Sequence, residues 1–312
     1  MEWRWLGERR LTEPFFNDTL NRAVRDPFTL LFRHETPIGT LRSRAEIRPG
    51  LRLAGFILHM SRCGSTLVSQ ALSASPENLV ISEAPALDSL LRGGTQVDPE
   101  QRITWIRWVV SALGQQRAGQ ETKCFIKLDC WHVPYLPLLR KAFPDVPWIF
   151  LYRDPLEVLA SHELAPALWR VPGMLDPELI GTDLTSVRLM DPLEYCARVL
   201  GKICEAALSF RADRLGRLVN YTELPEASWT TIGSHFGMAL PAADIAVMRH
   251  KAQFNAKVPQ LHFESDSRAK RNRASAHAAA LAERWLAPAY QRLEQARTEQ
   301  NYGAADEAAT GC

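Results

Sequence analysis

The sequence feature that most constrains the fold is a strand–loop–helix pattern over residues 53–72. It begins with an apolar run, residues 53–58, of the length expected for a buried strand. Small and polar residues follow, and from Thr66 apolar residues recur at helical spacing. The unpaired N–H groups at the start of such a helix, together with its dipole, bind anions. The pattern therefore predicts a phosphate-binding loop, and an ordinary strand-to-helix turn is the alternative.

The loop differs from that of nucleoside triphosphatases, which ends in Gly-Lys-Ser/Thr with the lysine reaching the outer phosphates. Here Gly64 is followed directly by Ser65, and the positive charge comes earlier, from Arg62. Ser65 and Thr66 would add hydroxyl donors. The helix start and Arg62 would lower the pKa of the Cys63 thiol, although a small space-filling residue is the favoured role.

Four further apolar runs, residues 79–82, 124–128, 147–152 and 218–221, alternate with segments of helical spacing. This alternation predicts an α/β fold, a three-layer sandwich around a central, mainly parallel sheet. Polar residues close each run, so they are expected to converge on one crevice at the carboxyl ends of the strands. These polar positions are 61–66, Glu83, 127–129, Arg153 and Tyr221.

The domain organisation is predicted from composition. Residues 1–48 form an aromatic-rich extension that packs on the core, 49–298 form the α/β domain, and 299–312 form a small, polar, disordered tail. Within the domain, the Pro- and Gly-punctuated segment 165–190 is a candidate mobile insertion over a pocket.

Charge and cysteine usage exclude some classes of function. A net charge of +2 argues against nucleic-acid binding, so the basic segment 268–273 is interpreted as solvated or as closing over a nucleotide. No signal peptide or membrane-spanning run is predicted, and the six cysteines lack paired spacing, which favours reduced thiols and a cytoplasmic location. No metal-ligand spacing is found, so no metal is expected. The oligomeric state is not predicted.

A second motif follows the 147–152 strand: Arg153-Asp154-Pro155, with Ser161 eight positions after Arg153. A guanidinium at a strand end and a hydroxyl on the next helix suit a second phosphate. The alternative is an Arg-Asp-Pro turn with a surface serine.

The two motifs in this order resemble those of sulfotransferases that use 3′-phosphoadenosine 5′-phosphosulfate (PAPS), above all the tyrosylprotein type and related bacterial proteins. The family's first signature is a strand, then Lys/Arg-Ser-Gly-Thr-Thr and a helix; here Arg62-Cys63-Gly64-Ser65-Thr66 has Cys for Ser and Ser for Thr. Its second signature is Arg-Asn/Asp-Pro followed by Ser. The resemblance covers residues 53–221, with a weaker tail to about 270.

The resemblance implies roles for individual residues. The 5′-phosphosulfate would be bound by the loop and the first helical turn: Arg62, Cys63, Gly64, Ser65, Thr66 and Leu67. The 3′-phosphate would be bound by Arg153 and Ser161, and the nucleotide would be lined by Tyr221 and closed over by Lys257.

The resemblance also implies the catalytic groups. Glu83 would be the general base, Lys127 would contact the transferring sulfonate, and Arg62 with Lys127 would neutralise the leaving 5′-phosphate. The small-molecule enzymes of the family use a His in Lys-Thr-His; here that stretch is Lys127-Leu128-Asp129, and the displaced His132 is the second candidate base. We expect partial burial to raise the pKa of Glu83 toward useful basicity.

The implied function is in-line transfer of a sulfonate group from PAPS to a hydroxyl or amine of a small-molecule or peptide acceptor, leaving adenosine 3′,5′-bisphosphate (PAP). Two alternatives are a phosphate-loop kinase, which the missing Gly-Lys-Ser/Thr disfavours, and a non-catalytic relative that binds nucleotide. Glu83 could instead be a carboxylate at a helix start, and Lys127 a surface charge at a strand end.

Overall fold

The computed structural model describes residues 1–7, 9–32, 34–93, 97–258, 260–263 and 266–310, with side chains to residue 302. A small antiparallel pair, β1 (Glu2–Trp3) and β2 (His34–Glu35), lies in the N-terminal segment. The main strands are β3 (Arg52–His59), β4 (Asn78–Ser82), β5 (Lys123–Lys127), β6 (Trp148–Tyr152) and β7 (Gly216–Asn220). They form one parallel sheet in the order β4–β5–β3–β6–β7, which confirms the predicted α/β fold.

Helices cover the chain between and after these strands. They are α1 (Phe16–Ala23), α2 (Pro27–Leu31), α3 (Thr40–Ile47), α4 (Ser65–Leu72), α5 (Pro85–Arg92), α6 (Pro99–Leu113), α7 (Leu136–Ala142), α8 (Pro155–Leu164), α9 (Leu184–Arg188), α10 (Pro192–Leu208), α11 (Thr231–His235), α12 (Ala242–Ala252), α13 (Ser267–Arg273), α14 (Ala276–Trp285) and α15 (Ala287–Thr310). No helix among those described combines the length and hydropathy needed to cross a bilayer.

The helices pack in two groups, one on each face of the sheet. Helix α4 packs against β3, β4 and α12, whereas α6 contacts both α5 and α7, and α8, α10, α14 and α15 form a continuous set. Right-handed crossovers require this division, since the chain leaves β3 toward one edge through α4 and returns past it through α7. The first strand of the parallel sheet, β3, thus lies at its centre, where the strand order reverses direction.

Several helices begin with Asp-Pro, for a common physical reason. The Asp98, Asp154 and Asp191 side chains accept hydrogen bonds from N–H groups of the first turns of α6, α8 and α10. Proline at the next position loses no hydrogen bond there and fixes a helical φ. In the Arg153-Asp154-Pro155 motif the aspartate is therefore the cap of α8.

One sequence prediction about the C-terminal part differs from the structure. After α13 the chain forms two helices, α14 and α15. Helix α15 continues to Thr310, through the residues predicted as a disordered tail. The small residues there are mostly alanines, which have the highest intrinsic helix propensity, so their size did not argue against a helix.

The extension and the insertion both contribute to the hydrophobic core. Leu11, Phe16 and Leu41 of the N-terminal segment are buried in the same cluster as the sheet. Buried side chains also come from the insertion, namely Trp169, Leu175, Ile180 and Val187. The five described cysteines are buried and unpaired, and Cys312 lies outside the described residues.

Candidate functional site

The loop between β3 and α4 has the backbone of an anion-binding turn. Ser61, Arg62 and Gly64 all have positive φ, at 78°, 52° and 86°. Left-handed residues in such a run turn successive N–H groups to one side, the arrangement found in phosphate-binding loops. Two of the three are not glycine, and non-glycine residues are held this way mostly at functional sites.

Gly64 is required by its surroundings as well as by its φ. A Cβ atom at this position would lie 2.6 Å from Leu224 Cδ1 and 3.0 Å from Tyr221 Cδ2. The backbone of the loop at Gly64 therefore packs directly against side chains of the turn that follows β7. Ser65 and Thr66, in the first turn of α4, are both buried and line the same cavity as the loop.

A buried ion pair lies beside this loop. Lys127, at the end of β5, is fully buried, and its Nζ is 2.6 Å from Glu83 Oε1 and 3.4 Å from Thr66 Oγ1. The surface-charge alternative for Lys127 is therefore wrong. Burial alone would raise the pKa of Glu83, but Lys127 and His59 lower it to about 2, contrary to our expectation.

His59 and Asp129 complete this group and were not predicted as site residues. His59 Nδ1 accepts from Ser61 N–H at 3.1 Å, so its Nε2 carries the hydrogen, 3.7 Å from Glu83 Oε1. Burial, and then the charges of Glu83 and Asp88, raise the pKa of Asp129 to about 8. An ionised carboxylate thus lies beside a carboxyl group that is largely protonated at neutral pH. His59 closes β3 and Asp129 follows β5 by two residues, and this place at the strand ends was the available sequence signal.

His132, the second candidate base, is not among the residues that line the cavity. Its Nδ1 accepts from Asp129 N–H at 3.2 Å, and its Nε2 is 2.8 Å from Asp88 Oδ1. Burial lowers its pKa. The ring therefore holds the turn after β5. Possible ligand atoms of Asp88, Asp129 and His132 lie within 4.8 Å of one another, but these hydrogen bonds already engage the imidazole, so we assign no metal to them.

Cys63 and Arg62 have different roles within the loop. The Cys63 thiol is fully buried and donates to the Leu151 carbonyl at 3.2 Å, and burial raises its pKa to about 11. The expectation of a lowered pKa is wrong, because desolvation outweighs the neighbouring positive charges. Arg62 lines the cavity and donates to the Ala165 carbonyl at 2.7 Å, which ties the loop to the insertion.

The second motif is brought to the same cavity. Arg153 is buried, its Nε donates to Glu157 Oε2 at 2.7 Å, and its Cζ lies 3.9 Å from the centroid of the Tyr221 ring. Its Nη2 donates to Asp266 Oδ1 at 2.8 Å and to Ser267 Oγ at 3.0 Å. Ser161 is buried and lines the cavity, so it is not a surface serine.

One cavity of about 750 Å³ joins these groups. Its basic side chains include Arg62, Arg153, Lys257 and Lys270, and partial burial together with Arg62 and Lys127 lowers the pKa of Lys257 to about 8. Another part of the wall is apolar. It is formed by Leu164, Ala165, Ala167 and Trp169 from the end of α8 and the insertion, with Trp131. Eleven of the predicted site residues line this cavity, namely Arg62, Cys63, Gly64, Ser65, Thr66, Leu67, Glu83, Arg153, Ser161, Tyr221 and Lys257.

The chain matches no family model and no curated protein. Among solved structures, the sulfotransferase STF9 from Mycobacterium avium is 14% identical, with 76% of this chain and 80% of that chain covered and a TM-score of 0.47. A sulfotransferase from Alicyclobacillus acidocaldarius is 14% identical, with 79% and 96% covered and a TM-score of 0.45. Retinol dehydratase, solved with androsterone and the inactive cofactor PAP, is 16% identical, with 80% and 84% covered and a TM-score of 0.42. Structural similarity this remote does not assign a function. The functional assignment rests on the residues of the cavity instead.

Proposed function

We propose that this protein is a sulfotransferase that moves a sulfonate group from PAPS to a hydroxyl or amine of an acceptor. The observation that carries the proposal is the cavity itself. The positive-φ loop, the Glu83–Lys127 pair and the Arg153–Ser161 pair all line or border one space of about 750 Å³. A donor with two separated phosphate groups needs such a pair of anion sites on one sheet edge.

The residues present fit this donor. Buried hydroxyls of Ser65 and Thr66 stand at the start of α4, next to the left-handed loop and Lys127. At the second site, the carboxylate of Asp266 is bound between Arg153 and Lys270. An anion of the chain itself therefore stands where the 3′-phosphate is proposed to bind, which supports the anion-binding character of that site.

The mechanism needs positioning and charge stabilisation more than covalent chemistry. PAPS, when bound, supplies the sulfonate and the leaving phosphate. Arg62, Lys127 and the loop N–H groups stabilise negative charge at the 5′ end, while Arg153 and Ser161 fix the position of the nucleotide. Glu83 accepts the proton of the acceptor.

Lys127 controls how strong a base Glu83 can be. At 2.6 Å it holds the pKa of Glu83 at about 2, where a carboxylate is a weak base. Lys127 is also within 3.4 Å of the Thr66 hydroxyl at the loop helix. When Lys127 turns toward an anion held there, its attraction for Glu83 weakens and the pKa of Glu83 rises. We therefore expect Glu83 to become an effective base only in the loaded site.

The first test is calorimetric binding of PAP, without metal, to the wild type and to Arg153→Ala. Glu157 keeps its second partner, Arg271 Nε at 2.8 Å, so the variant should fold. Loss of a buried charged hydrogen bond to phosphate should weaken binding at least about 30-fold. The matched control is Arg292→Ala, which removes an exposed arginine paired with Glu205.

The outcomes separate the proposals. Tight PAP binding that weakens in Arg153→Ala but not in Arg292→Ala supports the sulfotransferase assignment. Absent binding, or equal affinity for AMP, would overturn it. A requirement for magnesium would instead favour a phosphate-loop kinase.

A further inference from the structure

Asp266 occupies an unexpected place in the cavity wall, directly before α13. Its Oδ1 is 2.8 Å from Arg153 Nη2 and its Oδ2 is 2.7 Å from Lys270 Nζ. Burial would raise the pKa of Asp266, but Lys270 and Arg153 lower it, so the group is an anion at neutral pH. Two of the cations that line the cavity, Arg153 and Lys270, are thus already paired with a carboxylate.

The two carboxylates that contact Arg153 differ in how firmly they are held. Glu157 has a side chain only 5% exposed and also accepts from Arg271 Nε at 2.8 Å. The Asp266 side chain is 49% exposed. Glu157 is therefore a fixed support for Arg153, whereas Asp266 can turn outward into solvent, and the buried Arg153 stays paired with Glu157 when it does.

We propose that Asp266 competes with the 3′-phosphate of the nucleotide for Arg153 and Lys270, and so determines the affinity and selectivity of this site. The inference rests on the proposed function and names a residue to which the family resemblance assigns no role. A phosphate dianion replaces both ion pairs that Asp266 gives up. A neutral 3′-hydroxyl replaces neither, so a nucleotide without the phosphate binds with Asp266 in place.

The competition has a consequence for turnover. The apparent affinity of PAP is reduced by the fraction of molecules in which Asp266 holds the site. Asp266 returns to Arg153 as PAP leaves, which stabilises the empty site and accelerates product release.

The test compares the wild type with Asp266→Asn by calorimetry, using PAP and AMP as ligands without metal. The amide keeps the shape of the side chain but removes the competing charge. We expect PAP to bind about tenfold more tightly to the variant, as for a site that was nine-tenths blocked, and AMP affinity to stay within about twofold. Asp266→Ala should show the same pattern, with tighter PAP binding and little change in AMP affinity.

The control is Glu205→Gln, which removes one negative charge from an exposed pair with Arg292. It should leave both affinities unchanged. Unchanged or weaker PAP binding to Asp266→Asn, or an equal gain for PAP and AMP, would overturn the inference while leaving the proposed function intact. If the wild type and all variants fail to bind PAP, the proposed function itself is wrong.

Discussion

At the scale of single residues, the charge balance around Glu83 is set by three neighbours of different kinds. Lys127 holds Glu83 ionised, His59 is neutral because burial lowers its pKa, and Asp129 has a raised pKa. When the pKa of a group is higher in the folded than in the unfolded state, the unfolding free energy of the protein falls as pH rises from the unfolded-state pKa to the folded-state pKa. For Asp129 this window runs from about pH 4 to about pH 8.

We predict that Asp129→Asn removes this pH dependence. Between pH 7 and pH 9 the wild type should lose about 1 kcal/mol of unfolding free energy relative to the variant, since the window ends near pH 8. The buried histidines do not interfere, because their contribution is the same in both proteins and cancels in the difference. Glu83 does not interfere either, because its lowered pKa affects stability only at acidic pH. Urea unfolding at pH 7, 8 and 9 measures the difference, and parallel curves for the two proteins would contradict the raised pKa.

Residues at strand ends could be predicted from the sequence, and residues contributed by distant segments could not. Glu83, Lys127 and Arg153 each close an apolar run, so the parallel sheet alone brings them together. Asp266 meets Arg153 across 113 positions of sequence, from a segment without strand or motif. The pKa of Glu83 was predicted in the wrong direction because the salt bridge to Lys127 depends on tertiary packing.

At the scale of elements, the strand–loop–helix unit depends on one glycine that has two functions. Gly64 adopts φ +86° and leaves room for Leu224 and Tyr221. Gly119 has a similar φ of +82°, but a Cβ atom added there would meet no atom within 4 Å. A comparison of the two positions therefore separates backbone strain from steric conflict.

We predict that Gly64→Ala costs about 1–3 kcal/mol more unfolding free energy than Gly119→Ala, because the added methyl group must displace Leu224 and Tyr221. PAP affinity should fall about tenfold for Gly64→Ala only, since Tyr221 stacks on Arg153. Thermal unfolding and calorimetry of both variants check the two effects. Equal losses of stability would show that strain alone determines the choice of glycine.

The strands of the parallel sheet were predicted well from the sequence, whereas the elements at the two ends of the chain were not. All five strands of the parallel sheet lie within two residues of the predicted runs, because strands buried on both faces are continuously apolar. The pair β1–β2 has two residues per strand and leaves no such pattern. The break between α14 and α15 follows Trp285, and Pro288, in the first turn of α15, was the sequence signal for it.

At the scale of the whole molecule, the site is assembled from segments far apart in sequence. The ring of Phe15, from the N-terminal segment, lies 4.7 Å from Lys127 Nζ and 5.7 Å from Lys257 Nζ. Arg62 connects the central loop to the insertion through the Ala165 carbonyl. The Phe15 ring therefore covers Lys127 and limits its contact with water, which strengthens the electrostatic interaction of Lys127 with Glu83.

Whether the assembled molecule transfers a group or only binds a nucleotide depends on Glu83. We predict that Glu83→Gln lowers transfer at least about 100-fold, as for loss of a general base, while PAP affinity changes no more than about threefold. The measurement is transfer of radiolabelled sulfonate from PAPS to a panel of phenols, aliphatic alcohols and amines, with calorimetry of PAP.

The matched control is Glu121→Gln, which alters another buried carboxylate, one that accepts from Ala118 N–H and does not line the cavity. Because each variant disturbs a buried acid, both should lose stability, but only Glu83→Gln should lose transfer. Retained transfer in Glu83→Gln would place the base elsewhere, and a parallel loss of PAP affinity would make Glu83 a structural residue. A wild type that binds PAP but transfers to no acceptor of the panel would favour the non-catalytic relative, since the two anion sites would then serve binding alone.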